Sequence, residues 1–448
     1  MIEMSPNLAA ILMFGGLLAL IMTGFPIAFV IGSVGFLSGF LLFGPDVTFH
    51  IIYSRLYELS LNYPYLAVPL FTFMGVVLQH SGIAEKLYNT LYESLSGFRG
   101  GLAVVTVIFG TVLAACLGVI TAAVTILTLI AMAPMVTRGY DKALAAGTCV
   151  AGGTLGILIP PSIMLVVYGP QAGLSVGKMF MAAVFPGLIL ASLYIAYISI
   201  RCFFNPALGP PIPLEERAKK TTAEKIVNLL KSLLPPVLLI LAVLGTIFTG
   251  IAPPTEAAAV GSLAAVILAI CYRRFSWDLV KHAAIETLRV SAFVVLIAGM
   301  CYAFVGVFMS AGCGEVVAKA IIAVPGGKWG SFLVIMFIVF LLGMFIEWIG
   351  IVFIIVPIFS PIFVKLGFDP LWAGMMVCIN LQMAFQTPPM AMSIFVCRGT
   401  APPELGITMH DIIKGVTPFI LIIVFCLILF TVFPGIITWL PEKMMGAS

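Results

Sequence analysis

The chain has 448 residues, of which 62% are hydrophobic and 9% charged, where an average soluble domain carries about 25% charged residues. That balance excludes a soluble globular protein and assigns most of the chain to a lipid bilayer, whose core of about 30 Å takes roughly 20 apolar residues per helical crossing. No segment alternates with period two over about ten residues, which excludes a spanning β-barrel. The net charge of +4 reflects where the basic residues sit rather than an acidic partner.

Taken in chain order, the N-terminus Met1-Ile2-Glu3-Met4 lacks the basic flank of a signal peptide, so the first apolar run, residues 8–23, is expected to be kept as a span. A second run covers 26–43, and an amphipathic stretch from Ile83 to Ser96 carries Glu85, Lys86 and Glu93, as expected of an interfacial helix. Residues 101–135 are apolar throughout, too long for one upright span and short for two, with small residues and Gly118 in the middle. They read as a re-entrant hairpin with its tip near Gly118 and Thr121; a long tilted helix is the alternative. Residues 141–170 form a crossing interrupted by Pro160-Pro161, and 178–203 complete the first half. Residues 204–230, with Pro206, Pro210, Pro211, Pro213 and Glu215-Glu216-Arg217, read as a solvated cytoplasmic connector. The second half, 231–448, offers runs at 231–250, 254–272 and 290–309, an amphipathic stretch from Ser276 to Arg289, a second hairpin at 331–364 with its tip near Glu347-Trp348-Ile349-Gly350, a second broken crossing at 369–398, and a final run at 412–438.

The second half echoes the first. Gly139-Tyr140-Asp141 and Pro160-Pro161 recur at one constant offset as Gly367-Phe368-Asp369 and Pro388-Pro389, and the same offset carries Pro26 onto Pro254 and Met164 onto Met392. With the N-terminus outside and five crossings plus one hairpin per half, only Arg55, Lys178, Lys319, Lys328, Lys365 and Lys443 of the 22 Lys and Arg fall outside, the positive-inside bias. Five is odd, so the repeats 1–203 and 231–448 are expected to be inverted. The expected fold is an all-α polytopic membrane protein with a substrate site near the midplane, where broken helices of such repeats meet.

Two consecutive prolines remove two backbone donors and clash with the preceding turn, so neither broken helix runs through. Freed carbonyls at this depth require protein or a cavity around them. Gly153, Thr154, Gly156 and Ser162 at the first break, and Asn380, Gln382, Gln386 and Thr387 at the second, provide room and oxygens that suit a hard cation such as Na⁺. The half-helix N-termini beyond each break suit an anion. A proline kink used only for packing is the plain alternative. Glu347 is the one acidic residue well inside an apolar run, a functional candidate by its depth. Asp141 and Asp369 read as N-caps, and Glu256 after Pro253-Pro254-Thr255 as a first-turn acid. The nine cysteines are scattered singly and read as core, and the four histidines as residues near the interfaces. No zinc helix, nucleophile elbow or phosphate-binding loop occurs, so an ion gradient is the expected energy source and no cofactor is expected. An intramembrane enzyme would need a partner for Glu347 that the sequence lacks.

The motif Gly153-Thr154-Leu155-Gly156-Ile157-Leu158-Ile159-Pro160-Pro161-Ser162, the block Pro254-Thr255-Glu256-Ala257 and the late Thr387-Pro388-Pro389 together resemble the large, DctM-like membrane subunit of tripartite ATP-independent periplasmic (TRAP) transporters, over nearly the whole chain. The resemblance implies an elevator-type transporter driven by Na⁺ in a bacterial or archaeal cytoplasmic membrane. It also implies a small four-helix membrane subunit and a periplasmic binding protein that delivers an organic acid. By position it places one ion site at Gly118, Thr121, Gly153, Thr154, Gly156 and Pro160, and the other at Gly350, Asn380, Gln386, Thr387 and Pro388. Substrate would contact Thr121, Pro161, Ser162, Glu347, Trp348, Gln382 and Pro389. Cys116, Leu117, Gly118 and Thr121 stand where many members have serines, and Glu347 where many have Asp. A stand-alone Na⁺/dicarboxylate symporter of similar design is the rival within transport.

Overall fold

The structure, a computed structural model, describes residues 4–95, 97–211, 222–389 and 391–445. Pro213 and Glu215-Glu216-Arg217 of the expected connector lie outside the described residues. Every regular element among those described is helical, as a bilayer requires of a chain that cannot close a barrel.

Seven helices are long and apolar enough to cross a membrane, judged by length and composition, and an eighth arises if Pro45–Ser60 and Tyr63–His80, bent by 59°, form one span. This differs from a simple count of ten crossings. Pro6–Ile21 and Ile27–Phe43 are short, and both proline-containing crossings are split, whereas Ile120–Thr137 and Trp348–Lys365, expected as hairpin arms, are long enough to qualify. The amphipathic stretches also differ between the halves. Ile83–Leu95 is a separate helix that buries Ile83, Leu87 and Leu91 at helical spacing, and it ends before the glycines at 97, 100 and 101. Its expected counterpart is simply the first turns of a single 34-residue helix, Trp277–Ser310, because neither Gly nor Pro interrupts residues 277–298.

The helices sort into two packed groups, each built from both halves of the chain. In the first, Ala67–His80 packs on Pro254–Cys271, and Trp277–Ser310 packs on Ile27–Phe43, Pro45–Ser60 and Ala67–His80. The Ser262 hydroxyl donates across this group to the Leu70 carbonyl at 2.7 Å. In the second, Lys142–Thr154 is enclosed by Gly101–Leu117, Ile120–Leu127 and Met409–Val432. Its contact with Met409–Val432 is backbone on backbone. A Cβ built on Gly415 would sit 1.9 Å from the Ala143 carbonyl oxygen, and one on Gly147 2.2 Å from that of Gly415. Small residues serve this purpose in lipid, where helices associate through close packing rather than through the hydrophobic effect.

Local signals explain where the helices start. Asp141 accepts a hydrogen bond from the Leu144 amide at 2.9 Å and Asp369 from the Trp372 amide at 2.6 Å, so equivalent N-caps precede both broken helices. Phe332, Phe363, Phe368 and Trp372 form an aromatic knot with ring centroids 5.1–6.3 Å apart. The Trp372 indole N–H donates to the Phe430 carbonyl at 3.0 Å. This knot fixes the arms of the second hairpin against the helix that leads into the second break.

Candidate functional site

Four interruptions of helix converge in the structure. Gly101–Leu117 stops at Gly118 and Val119 before Ile120 resumes; Gly327–Gly343 stops and Trp348–Lys365 resumes. Lys142–Thr154 passes through a short turn, Leu155–Ile157, before Ile163–Gln171; Pro370–Ala384 ends before Met392–Thr400. The Pro160-Pro161 and Pro388-Pro389 bonds are both cis.

Gly118 has φ +62°, a left-handed conformation that a side chain would strain, and its α-carbon faces Ile163 and the Pro161 carbonyl, at 3.3 and 3.6 Å from where a Cβ would stand. The first turn is therefore seated on the first break. Gly153 lies against the backbone of Val124, which joins the hairpin's second arm to the same break. In the other half, Gly343 touches Ala384, and Asn380 donates from Nδ2 to the Met336 carbonyl at 2.7 Å. Gly350 faces Ile346 and Ile31.

The two breaks are themselves connected. Gln386 Nε2 donates to Thr154 Oγ1 at 2.8 Å, with both residues buried. Ser162 donates to the Ile157 carbonyl at 2.5 Å, and Thr387 to the Met383 carbonyl at 2.9 Å, so these two hydroxyls brace the interruptions from within. Gln382 is wholly buried and both its amide atoms lack a partner, as does Gln386 Oε1; the Tyr194 hydroxyl lies beside Gln386 without reaching hydrogen-bond geometry. Gly156 sits in the short turn at the first break. Pro160 and Pro161 are buried, whereas Pro388 and Pro389 are exposed.

Both hairpin turns reach one cavity of about 660 Å³. Thr121 with Gly118, and Glu347 with Trp348, line it; Pro161, Ser162, Gln382 and Pro389 do not. The remaining wall comes from the loop around Phe25 and Pro26 and from Val290 to Leu296. Four of the lining residues, Ile120, Ile163, Trp348 and Met392, are the first residues of helices. At none of the four does the preceding residue, Val119, Ser162, Glu347 or Ala391, close the end with a side-chain hydrogen bond. Each of these helix starts, with the positive end of its dipole, thus lies at the cavity without a side-chain cap.

Sequence reasoning missed two groups of residues. Ser393 donates to the Phe385 carbonyl at 2.6 Å and bridges the second break, as Ser162 bridges the first. Gln171, at the far end of Ile163–Gln171, donates to the hydroxyls of Tyr65 at 2.5 Å and Tyr302 at 2.7 Å, and both tyrosine rings pack on Phe353. This clasp ties the helix beyond the first break to the first helix group.

A family model described as "Tripartite ATP-independent periplasmic transporter, DctM component" matches residues 14–436. The chain belongs to this family. It is 32% identical over 405 residues to the C4-dicarboxylate TRAP transporter large permease protein DctM of Pseudomonas aeruginosa, covering 90% of this chain and 91% of that one. It is 28% identical to the ectoine/5-hydroxyectoine TRAP transporter large permease protein UehC of Ruegeria pomeroyi, covering 95% and 97%. In fold it is similar to the YdaH transporter of Alcanivorax borkumensis, with a TM-score of 0.63, 15% identity and coverage of 88% and 89%. The chain is thus a multi-pass TRAP permease subunit, not an enzyme.

Proposed function

We propose that this chain is the large permease subunit of a Na⁺-coupled importer of organic acids in a bacterial or archaeal cytoplasmic membrane, working with a small membrane subunit and a periplasmic binding protein. The observation that carries this reading is the convergence of four uncapped helix N-termini on one cavity, an arrangement that favours a carboxylate without any basic side chain. Na⁺ would be held by neutral oxygens at the two breaks, including Thr154 at the first and Thr387 at the second, as unwound backbone and half-helix ends do in transporters of repeated design. Among the described residues no three His, Cys, Asp or Glu side chains gather, so a neutral oxygen site is the one these residues offer.

The cavity wall from Phe25 to Phe29 and from Val290 to Leu296 belongs to segments expected near the cytoplasmic side, while the Gln171 clasp closes the opposite side. On this reading the structure is inward-open, and import requires the second helix group to move past the first in an elevator-like step that breaks the Tyr65–Gln171–Tyr302 bonds. The movement would carry both hairpins, since each is seated on its own break.

The test is uptake of labelled organic acids into proteoliposomes containing this chain and its small partner, with and without a Na⁺ gradient and the matching binding protein. Uptake that needs both supports the proposal. Uptake by this chain alone would establish a stand-alone symporter instead, and uptake that follows a pH gradient and ignores Na⁺ would assign coupling to protons.

A further inference from the structure

At one end of the first helix group, two distant parts of the chain bring cations together. Lys86 lies over the Tyr272 ring, with Nζ 5.2 Å from its centroid. Arg274 crosses Gly82, its Nε 3.4 Å from where a Cβ would stand, and the His80 ring meets that of His282 at a centroid distance of 4.8 Å. Arg273 holds φ +55° where the helix Pro254–Cys271 closes. Glycine is the usual residue at such a closure, so a charged side chain is kept there against backbone strain. Residues 80–86 and 271–282 carry the basic residues Lys86, Arg273, Arg274 and Lys281 against the acids Glu85 and Asp278, all of them exposed. None of these basic residues is held in an ion pair among the described residues.

An apolar track leads to this cluster. Val260, Leu263, Ile267 and Ile270 are exposed along one face of Pro254–Cys271. At 1.5 Å per residue they run for about 15 Å, the hydrocarbon depth of one leaflet in a bilayer whose core is about 30 Å thick. Beyond the end of the track, Phe275 and Trp277 are exposed with ring centroids 6.0 Å apart, and aromatic rings of this kind suit the headgroup layer. Cations at the head of an acyl-length track match a phosphate joined to hydrocarbon chains, whereas a free anion would make no use of the track. We infer that this corner binds an anionic phospholipid, with its phosphate among Arg273, Arg274, Lys86 and Lys281 and its chains along Val260 to Ile270. With the N-terminus outside, the corner lies in the cytoplasmic leaflet, and the lipid would hold the helix group that stays still in the proposed elevator-like step.

The test is native mass spectrometry of the purified full chain with its small partner in a neutral detergent. Dioleoyl phosphatidylglycerol is titrated in, and phosphatidylcholine with the same chains serves as the uncharged comparison. Wild type should prefer the anionic lipid by about 30-fold or more, and Arg273→Gln with Arg274→Gln should lose about 30-fold of that preference, which is about 1 kcal/mol for each arginine. Arg273→Lys with Arg274→Lys keeps both charges, should retain most of the preference, and controls for folding. Arg398→Gln with Lys414→Gln removes two exposed cations expected on the same side of the membrane and should leave the preference intact. Four results would each overturn the inference: equal binding of the two lipids by wild type, as a track covered by the small subunit would give; a preference that survives the glutamine pair at 273 and 274; an equal loss in the pair at 398 and 414; or displacement of the lipid by an equal concentration of glycerol phosphate.

Discussion

The hydrogen bond between Gln386 and Thr154 makes a quantitative prediction possible. Thr154→Val keeps the shape of a wholly buried side chain but removes the acceptor 2.8 Å from Gln386 Nε2. The amide then retains only its 3.4 Å contact with the Gln382 carbonyl, next to three amide atoms that already lack partners. Orphaning a buried donor costs about 1–3 kcal/mol, whereas removing both partners of a bond is close to neutral. Thr154→Val should therefore lower the unfolding free energy by about 1 kcal/mol or more, and adding Gln386→Met should recover most of the loss. Polar pairs between membrane helices measured in this way reach about 1.7 kcal/mol, so a coupling of about 1 kcal/mol is expected. The assay is unfolding by a denaturing detergent titrated into mixed micelles, for wild type, both single variants and the double. Losses that add within about 0.5 kcal/mol, leaving the double variant less stable than Thr154→Val, would refute the claim that this bond joins the two breaks.

Gly415→Val should prevent assembly of the second helix group, because even a Cβ would lie 1.9 Å from the Ala143 carbonyl oxygen; the check is the yield of folded protein by size-exclusion fluorescence. Gly245→Ala, a helical site with nothing within 4 Å, should be neutral or stabilising by up to about 1 kcal/mol in the same assay. Gly118→Ala forces a side chain into φ +62° against Ile163, a cost of about 1–2 kcal/mol that should appear as a loss of roughly 5- to 30-fold in uptake rate if the strained turn must be rebuilt in each cycle. Ser393→Ala should raise the half-saturating Na⁺ concentration more than Ser192→Ala does. Ser393 bridges the second break, whereas Ser192 bonds only its own helix on an exposed face.

The parts of this molecule that were legible in the sequence are those set by short-range chemistry. Asp141 and Asp369 cap because a carboxylate three residues before an amide closes a helix start, and Pro160-Pro161 and Pro388-Pro389 interrupt because proline lacks a donor. What distant segments contribute was not legible. Phe25 and Val290 share one cavity wall although they are far apart in the chain, and no local pattern links them. Thr154 and Gln386, assigned by position to different ion sites, are bonded to each other. Ser393 escaped notice because it does not occupy the position equivalent to Ser162, although its hydroxyl performs the same closure. The helix Trp277–Ser310 ran past its expected boundary because a change from amphipathic to apolar patterning does not end a helix when no residue disrupts the backbone.

The four helix starts around the cavity bear on how such a permease diversifies. On the proposed reading their hold on a carboxylate comes from peptide N–H groups, which every residue except proline supplies, so that half of the site would be written in the course of the backbone. On that reading a replacement at a wall position such as Glu347 or Thr121 would change which acid is preferred and leave the hold on its carboxylate unchanged.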